Sequence, residues 1–178
     1  DLFFDDEFRK LIFPLTPDEM AGLELSLKQH GNLAPIVIWK ERQIVLDGHN
    51  RYDICTQYNI PLLPARELSF PDRDTAMVWM IDNQLSRRNV PPYNRIGLVL
   101  RRTNILARRQ VAKEQQGTRT DLLSTLIKSE PIHPINIQKD VALAAHVSTG
   151  TVAKYDIVEK KATKEQKEEL LEGKATIN

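Results

Sequence analysis

The sequence predicts an α+β protein: a mixed α+β domain over residues 1–90, followed by an all-α domain over residues 91–178. Three observations carry that expectation. Two short apolar, β-branched runs, residues 36–39 (IVIW) and 44–46 (IVL), stand close together between helical patterns. After Pro91-Pro92 the chain restarts as a long helix. Residues 137–160 then carry two helix patterns around a tight turn, the spacing of a helix-turn-helix.

The elements follow in order. Residues 1–10 are acidic and aromatic and read as an arm that docks Phe3, Phe4 or Phe8 on the body. Thr16-Pro17-Asp18-Glu19 is a helix start: Thr caps, Pro takes the first position, and Glu19 closes a capping box. Met20, Leu23 and Leu27 form one apolar stripe, Gly31 stops the helix, and His30 is a structural cation at its C-terminus. The two β-branched runs form a hairpin across the polar turn 40–43. A helix then runs to Tyr58, Asn59 ends it, and an extended run at 62–68 completes a unit with little room for parallel crossovers. Residues 72–85 predict a largely buried helix with Ala76, Met77, Trp79, Met80 and Ile81 inside.

The long helix, roughly 93–115, offers Ile96, Leu98, Val99, Leu100, Ile105, Leu106 and Val111 for packing and Arg95, Arg101, Arg102, Arg108 and Arg109 to its other side. Residues 115–121 are the candidate hinge. Val141, Ala142, Ala144 and Ala145 permit close helix packing, His146-Val147 turns with Val147 inward, and Ser148 caps a helix whose Val152 and Ile157 face the core. Residues 163–172 predict a solvated, charged helix that Gly173 stops.

With 178 residues and 41% hydrophobic content, the chain can bury a core as one or two domains. The single cysteine, Cys55, excludes an internal disulfide and reads as a small apolar residue on a buried helix face. No apolar stretch approaches the ~20 residues of a membrane span, and no signal peptide is visible, so a cytoplasmic location is expected. The chain opens at Asp1 and ends without an evident stop, so a longer native chain is expected. Its net charge of +1 hides a segregation: residues 87–120 hold nine bases against the single acid Glu114, while residues 1–86 hold fourteen acids against eight bases. Concentrated positive charge of this kind is the footprint of a polyanion contact, although a solvated basic helix face has the same composition.

The stretch 44–55, IVLDGHNRYDIC, is the first candidate site. A strand delivers Asp47 and Gly48, and His49, Asn50 and Arg51 open a helix whose first amides have no internal partners. Gly48 permits a backbone that a side chain would oppose, and Arg51 adds a cation, so an anion such as phosphate fits there. By itself the stretch could equally be a strand-to-helix turn with Asp47 as a plain cap. Asp82, Asn83, Gln84, Ser86, Arg87, Arg88 and Asn89 form a second polar cluster able to hold phosphate oxygens or a metal. In the helix-turn-helix, Ser148, Thr149, Thr151 and Lys154, with Tyr155 behind them, would reach DNA bases or phosphates; Arg101, Arg102, Arg108 and Arg109 would add phosphate contacts. Plain helical hairpins share that spacing.

Pro35 to Ile38, Asp47 to Tyr52, Asn83-Gln84 with Arg87-Arg88-Asn89, and Ala145 to Val152 together resemble the ParB/sulfiredoxin superfamily. Over nearly the whole chain the order resembles ParB-like proteins of plasmids, phages and integrative elements. The resemblance implies a ParB/sulfiredoxin-like N-terminal domain, CTP or ATP with Mg2+ as cofactor, double-stranded DNA as partner, and a homodimer associated with nucleoid or plasmid. By the resemblance, Gly48, His49, Asn50, Arg51, Asn83, Gln84, Arg87 and Arg88 bind nucleotide phosphates. Partition proteins of the family have Gly-Glu-Arg-Arg where this chain has Gly48-His49-Asn50-Arg51. Their Glu-Asn-x-Gln-Arg falls on residues 83–87 with only Arg87 kept, so the resemblance carries nucleotide binding further than hydrolysis. The sulfiredoxin cysteine has no counterpart beside His49. Asp47-Gly48-His49 is similar to the Asp-Gly-His-His-Arg of ParB-like serine kinases, with Asn50 in place of the second His.

Two functions from different classes follow. One is a site-specific DNA-binding protein for partition or transcriptional regulation on a mobile element, switched by nucleotide. The other is a nucleotide-dependent enzyme of the same fold, an NTPase, small-molecule kinase or nuclease, with Asp47 as base or metal ligand, His49 as acid/base, and Gly48 and Arg51 holding phosphate. No resident metal-ligand set is assigned.

Overall fold

The computed structural model describes residues 2–87, 90–117 and 137–177, without the side chains of 113–117 and 137. The fold is mixed α+β, and the chain divides into two compact units: residues 1–90 with 171–175, and residues 91–170 with 176–178. The first unit holds α1 (Asp6–Arg9), α2 (Pro17–His30), β1 (Val37–Trp39), β2 (Ile44–Asp47), α3 (His49–Gln57), β3 (Arg66–Leu68) and α4 (Arg73–Leu85). The helices α5 (Pro92–Gly117), α6 (Ile137–Ala145), α7 (Thr149–Lys161) and α8 (Lys164–Leu171) follow.

Local chemistry sets the helix ends of the first unit. Thr16 and Glu19 form the reciprocal capping box at the start of α2, with Pro17 at the first position. Asp72 caps α4 through the Thr75 amide at 2.7 Å. At the end of α3, Asn59 adopts φ +53, and the Ile60 amide reaches back to the Cys55 carbonyl at 2.8 Å. This is a Schellman ending, closed by apolar contact of Ile60 with the cluster of Leu27, Ile54 and Cys55.

The sheet has the order β2-β1-β3. β1 and β2 pair antiparallel, as a hairpin requires, but β1 and β3 pair parallel. The expectation of little room for a parallel crossover did not foresee this pair, which forms without a β-α-β crossover: β2 itself runs the chain back along β1, and α3 with its flanking loops carries it from the end of β2 to the start of β3 on the other side of β1. β1 is buried on both faces, with Ile36, Ile38 and Val45 packed against Phe4 and Tyr52, and Trp39 against Phe8 and Phe70. Of the arm, Phe8 is fully buried and Phe3 is exposed, although the Phe3 backbone bridges Ile44. Arg73 clamps the arm through Asp5 at 2.7 Å and Glu7 at 2.9 Å.

In the second unit small residues permit close approach: Val141, Ala142 and Ala145 of α6 and Val152 of α7 are buried, as are Ile96, Val99 and Ile105 of α5. Three residues expected in the core are exposed instead, Leu106, Val111 and Ile157. α5 meets α7 at Tyr93 and Gly97, and Leu106 and Val111 lie several turns further along. Ile157 follows Val152 by five residues, about 140° around a helix, which turns it away from the buried side. Ala144 is also exposed. Residues 115–117 of the candidate hinge are the end of α5, and 118–121 lie outside the described residues.

Candidate functional site: the turn at Asp47 to Arg51

β2 carries a bulge just before the turn: Val37 pairs with Asp47 and Ile38 with Val45, leaving Leu46 as the extra residue. Val45 and Leu46 are consequently both buried, and Asp47 is re-aimed at the end of the strand. Gly48 follows at φ +93 as the N-cap of α3, and among the described residues no side chain caps this helix. A Cβ on Gly48 would come within 2.9 Å of both the Arg51 guanidinium and Ile36 Cγ2, so this position requires glycine for conformation and for space.

Arg51 Nη2 donates to Asp47 Oδ2 at 3.2 Å and to the Pro35 carbonyl at 3.4 Å. Arg87, delivered by the end of α4, donates to Asp47 Oδ1. One carboxylate therefore ties together two guanidiniums from motifs forty residues apart. They line a cleft of about 340 Å³ together with Gly48, His49, Asn50, Ile12, Leu15, Glu19 and Leu23. The last four were not among the residues singled out for a site. The α2 stripe was legible, but not the helix it would meet.

His49 lines the cleft, is only 4% exposed, and packs against the Phe4 ring. Neither ring nitrogen has a hydrogen-bond partner among the described residues. Burial, reinforced by the positive charge of Arg9, lowers its pKa to about 4, so the imidazole is neutral near pH 7. Asn50 is half-buried at the mouth. Asn83 and Gln84 do not line the cleft, and Gln84 is 1% exposed. Arg88 and Asn89 lie outside the described residues. No group of three or more His, Cys, Asp or Glu that could hold a metal occurs among the described residues. Cys55 is buried, and burial pushes its thiol pKa up, as befits a packing residue.

The second candidate region is the α6–α7 pair, joined by His146, Val147 and Ser148. α6 ends in a Schellman motif: the Val147 amide donates to the Ala142 carbonyl at 2.9 Å and the His146 amide to Leu143 at 3.2 Å. His146 thereby occupies, at φ +53, a position that favours glycine. Ser148 caps α7 through the Thr151 amide at 3.1 Å. Ser148, Thr149 and Lys154 are exposed, and Thr151 is half-buried with its hydroxyl on Ser148. Tyr155 turns out not to reach outward. Its ring packs 4.9 Å from that of Tyr93, and burial pushes its hydroxyl up to about 12. Glu159 accepts from Tyr93 and, at 3.0 Å, from Lys167, tying α5, α7 and α8 together. On α5, Arg101, Arg102 and Arg109 are half-buried and Arg108 is exposed; Arg95 donates to the Ala145 carbonyl at 2.9 Å.

A small mixed sheet that delivers an uncapped helix start to a polar cleft, with a helical unit following, defines the structural class. Within it, this chain is similar to the pNOB8-like ParB N-domain, at 20% identity and TM-score 0.60 over 89% of this chain and 61% of the other. A C2221 form of the same kind of domain matches at 20% identity and TM-score 0.59 over 90% and 66%. The fold is that of a ParB N-domain, and this chain spans about three-fifths to two-thirds of the length of those two structures. No family model and no curated protein matches the chain. Among the described residues no helix is long and apolar enough to cross a membrane.

Proposed function

We propose that this chain is a ParB-like, site-specific DNA-binding protein, serving partition or transcriptional control on a mobile element, with a phosphate site at the 47–51 turn. One observation carries the DNA-binding part. The likeness to the ParB N-domain extends over 89% of the chain and so takes in the helical unit as well as the sheet. Ser148, Thr149, Thr151 and Lys154 would meet bases or phosphates from the start of α7, and Arg101, Arg102, Arg108 and Arg109 would add backbone contacts. The partner is double-stranded DNA, bound by a homodimer in the cytoplasm.

The convergence of Arg51 and Arg87 at an uncapped helix start supports the phosphate site. The two guanidiniums and the α3 amides suit the phosphates of CTP or ATP, with Mg2+ carried by the nucleotide. The amides that open α3 and the two guanidiniums would hold them, and the bound nucleotide would supply a switch on DNA binding. The enzyme alternative is weaker: Asp47 is engaged by two guanidiniums, and a neutral, buried His49 is not the charged form that serves as a general acid near pH 7.

Isothermal titration with CTP, ATP and GTP in Mg2+, with and without duplex DNA from the neighbourhood of the gene, tests both parts. The expected result is salt-dependent, site-specific DNA binding that Thr149→Ala and Lys154→Ala weaken, and nucleotide binding that Arg51→Ala abolishes. Unchanged specific binding by both α7 variants overturns the α7 assignment. Nucleotide binding that survives Arg51→Ala overturns the turn.

A further inference from the structure

We infer that Asp47 is an internal competitor for the anion site, so that a ligand phosphate enters the cleft by displacing the Asp47 carboxylate from Arg51 and Arg87. This rests on the phosphate reading of the turn and adds what governs access to it. Three observations point the same way. First, each Asp47 oxygen takes a different arginine: Oδ2 the guanidinium of Arg51, Oδ1 that of Arg87. A carboxylate bridging two guanidiniums sits where a phosphate oxygen would be received, because both anions present oxygens to the same planar donors. Second, the whole arrangement lines an open cleft rather than the core, and the Asp47 side chain keeps 17% exposure. A partly exposed ion pair is weak enough to exchange partners; a fully buried one is not. Third, the bulge at Leu46 aims the strand's last side chain at the arginines, and the Gly48 backbone leaves room for Arg51 beside it.

The competition has a direction. A monoanion offers the arginines little that the carboxylate does not already give. A polyanion brings more charge to the same donors and also reaches the uncapped amides of α3, which Asp47 does not cap. The cleft therefore selects for polyphosphate over a monoanion such as acetate. Asp47 is a positioning and specificity residue, not a catalytic one.

The test uses the whole chain and inorganic pyrophosphate as the ligand, by isothermal titration of the wild type, Asp47→Asn and Arg51→Ala. The expected result is binding by the wild type, about tenfold tighter binding by Asp47→Asn, and none by Arg51→Ala. Equal or weaker binding by Asp47→Asn, with Arg51→Ala still abolishing it, overturns the competition and leaves the phosphate site standing. No binding by the wild type or by Asp47→Asn overturns both. Should Asp47→Asn fail to fold, the wild type supplies the readout by NMR. The Asp47 carboxyl carbon and the Arg51 and Arg87 side-chain nitrogens must shift together on adding pyrophosphate, whereas arginine shifts with an unmoved Asp47 carboxyl overturn the proposal.

Discussion

The two helices that open the candidate sites begin in opposite ways. α3 starts from Gly48, in left-handed backbone and without a side-chain cap, whereas α7 starts from Ser148, in extended backbone with its hydroxyl on the Thr151 amide. Every helix start leaves amides unpaired, and these are two ways of dealing with them. Where the hydroxyl takes an amide, the helix start is closed locally and offers a partner its exposed side chains, Thr149 and Lys154. Where no cap is supplied, the backbone itself is what a cleft presents, and the nearby charges decide who may approach. The first arrangement suits reading a surface by side chains; the second suits holding an anion.

The comparison can be broken by experiment, starting with the largest effect. His49 stays neutral in the folded protein with a pKa of about 4, against an ordinary value of 6.5, so the unfolded chain binds more protons between those values. Stability should therefore fall as pH drops from 6.5 toward 4, by on the order of 3 kcal/mol when complete. His49→Leu should lack this component. Urea unfolding of both proteins at several pH values reads it, and identical pH slopes would show that His49 takes up its proton without unfolding the turn.

Glycine substitution separates the two helix starts next. Gly48→Ala meets a positive φ and two contacts at 2.9 Å, and should cost about 2 kcal/mol or more. Gly150→Ala enters space whose nearest atom is 3.6 Å away, and should change stability by no more than about 0.5 kcal/mol, in the stabilising direction. Denaturant midpoints of the pair check this, and equal losses would dissolve the distinction. The smallest loss belongs to Ser148→Ala, which removes the cap and should cost about 1 kcal/mol in the same assay. No loss there would mean that α7 begins as openly as α3.

What could be read from the chain alone is what neighbours in sequence decide. The capping box at Thr16 and Glu19, the stop at Asn59 and the glycine between strand and helix rest on interactions within a few residues, and all are present. The α+β class followed from the same local periodicities. Tertiary structure decided everything that needs two distant segments to meet. Nothing near Asp47 says that Arg87 will reach it, nothing in 62–68 says that the strand pairs parallel, and nothing beside Tyr155 says that its ring meets that of Tyr93. The physical reason is that propensity and capping act through the local backbone, whereas ion pairing, strand order and burial depend on which surfaces are left to face one another once the elements pack.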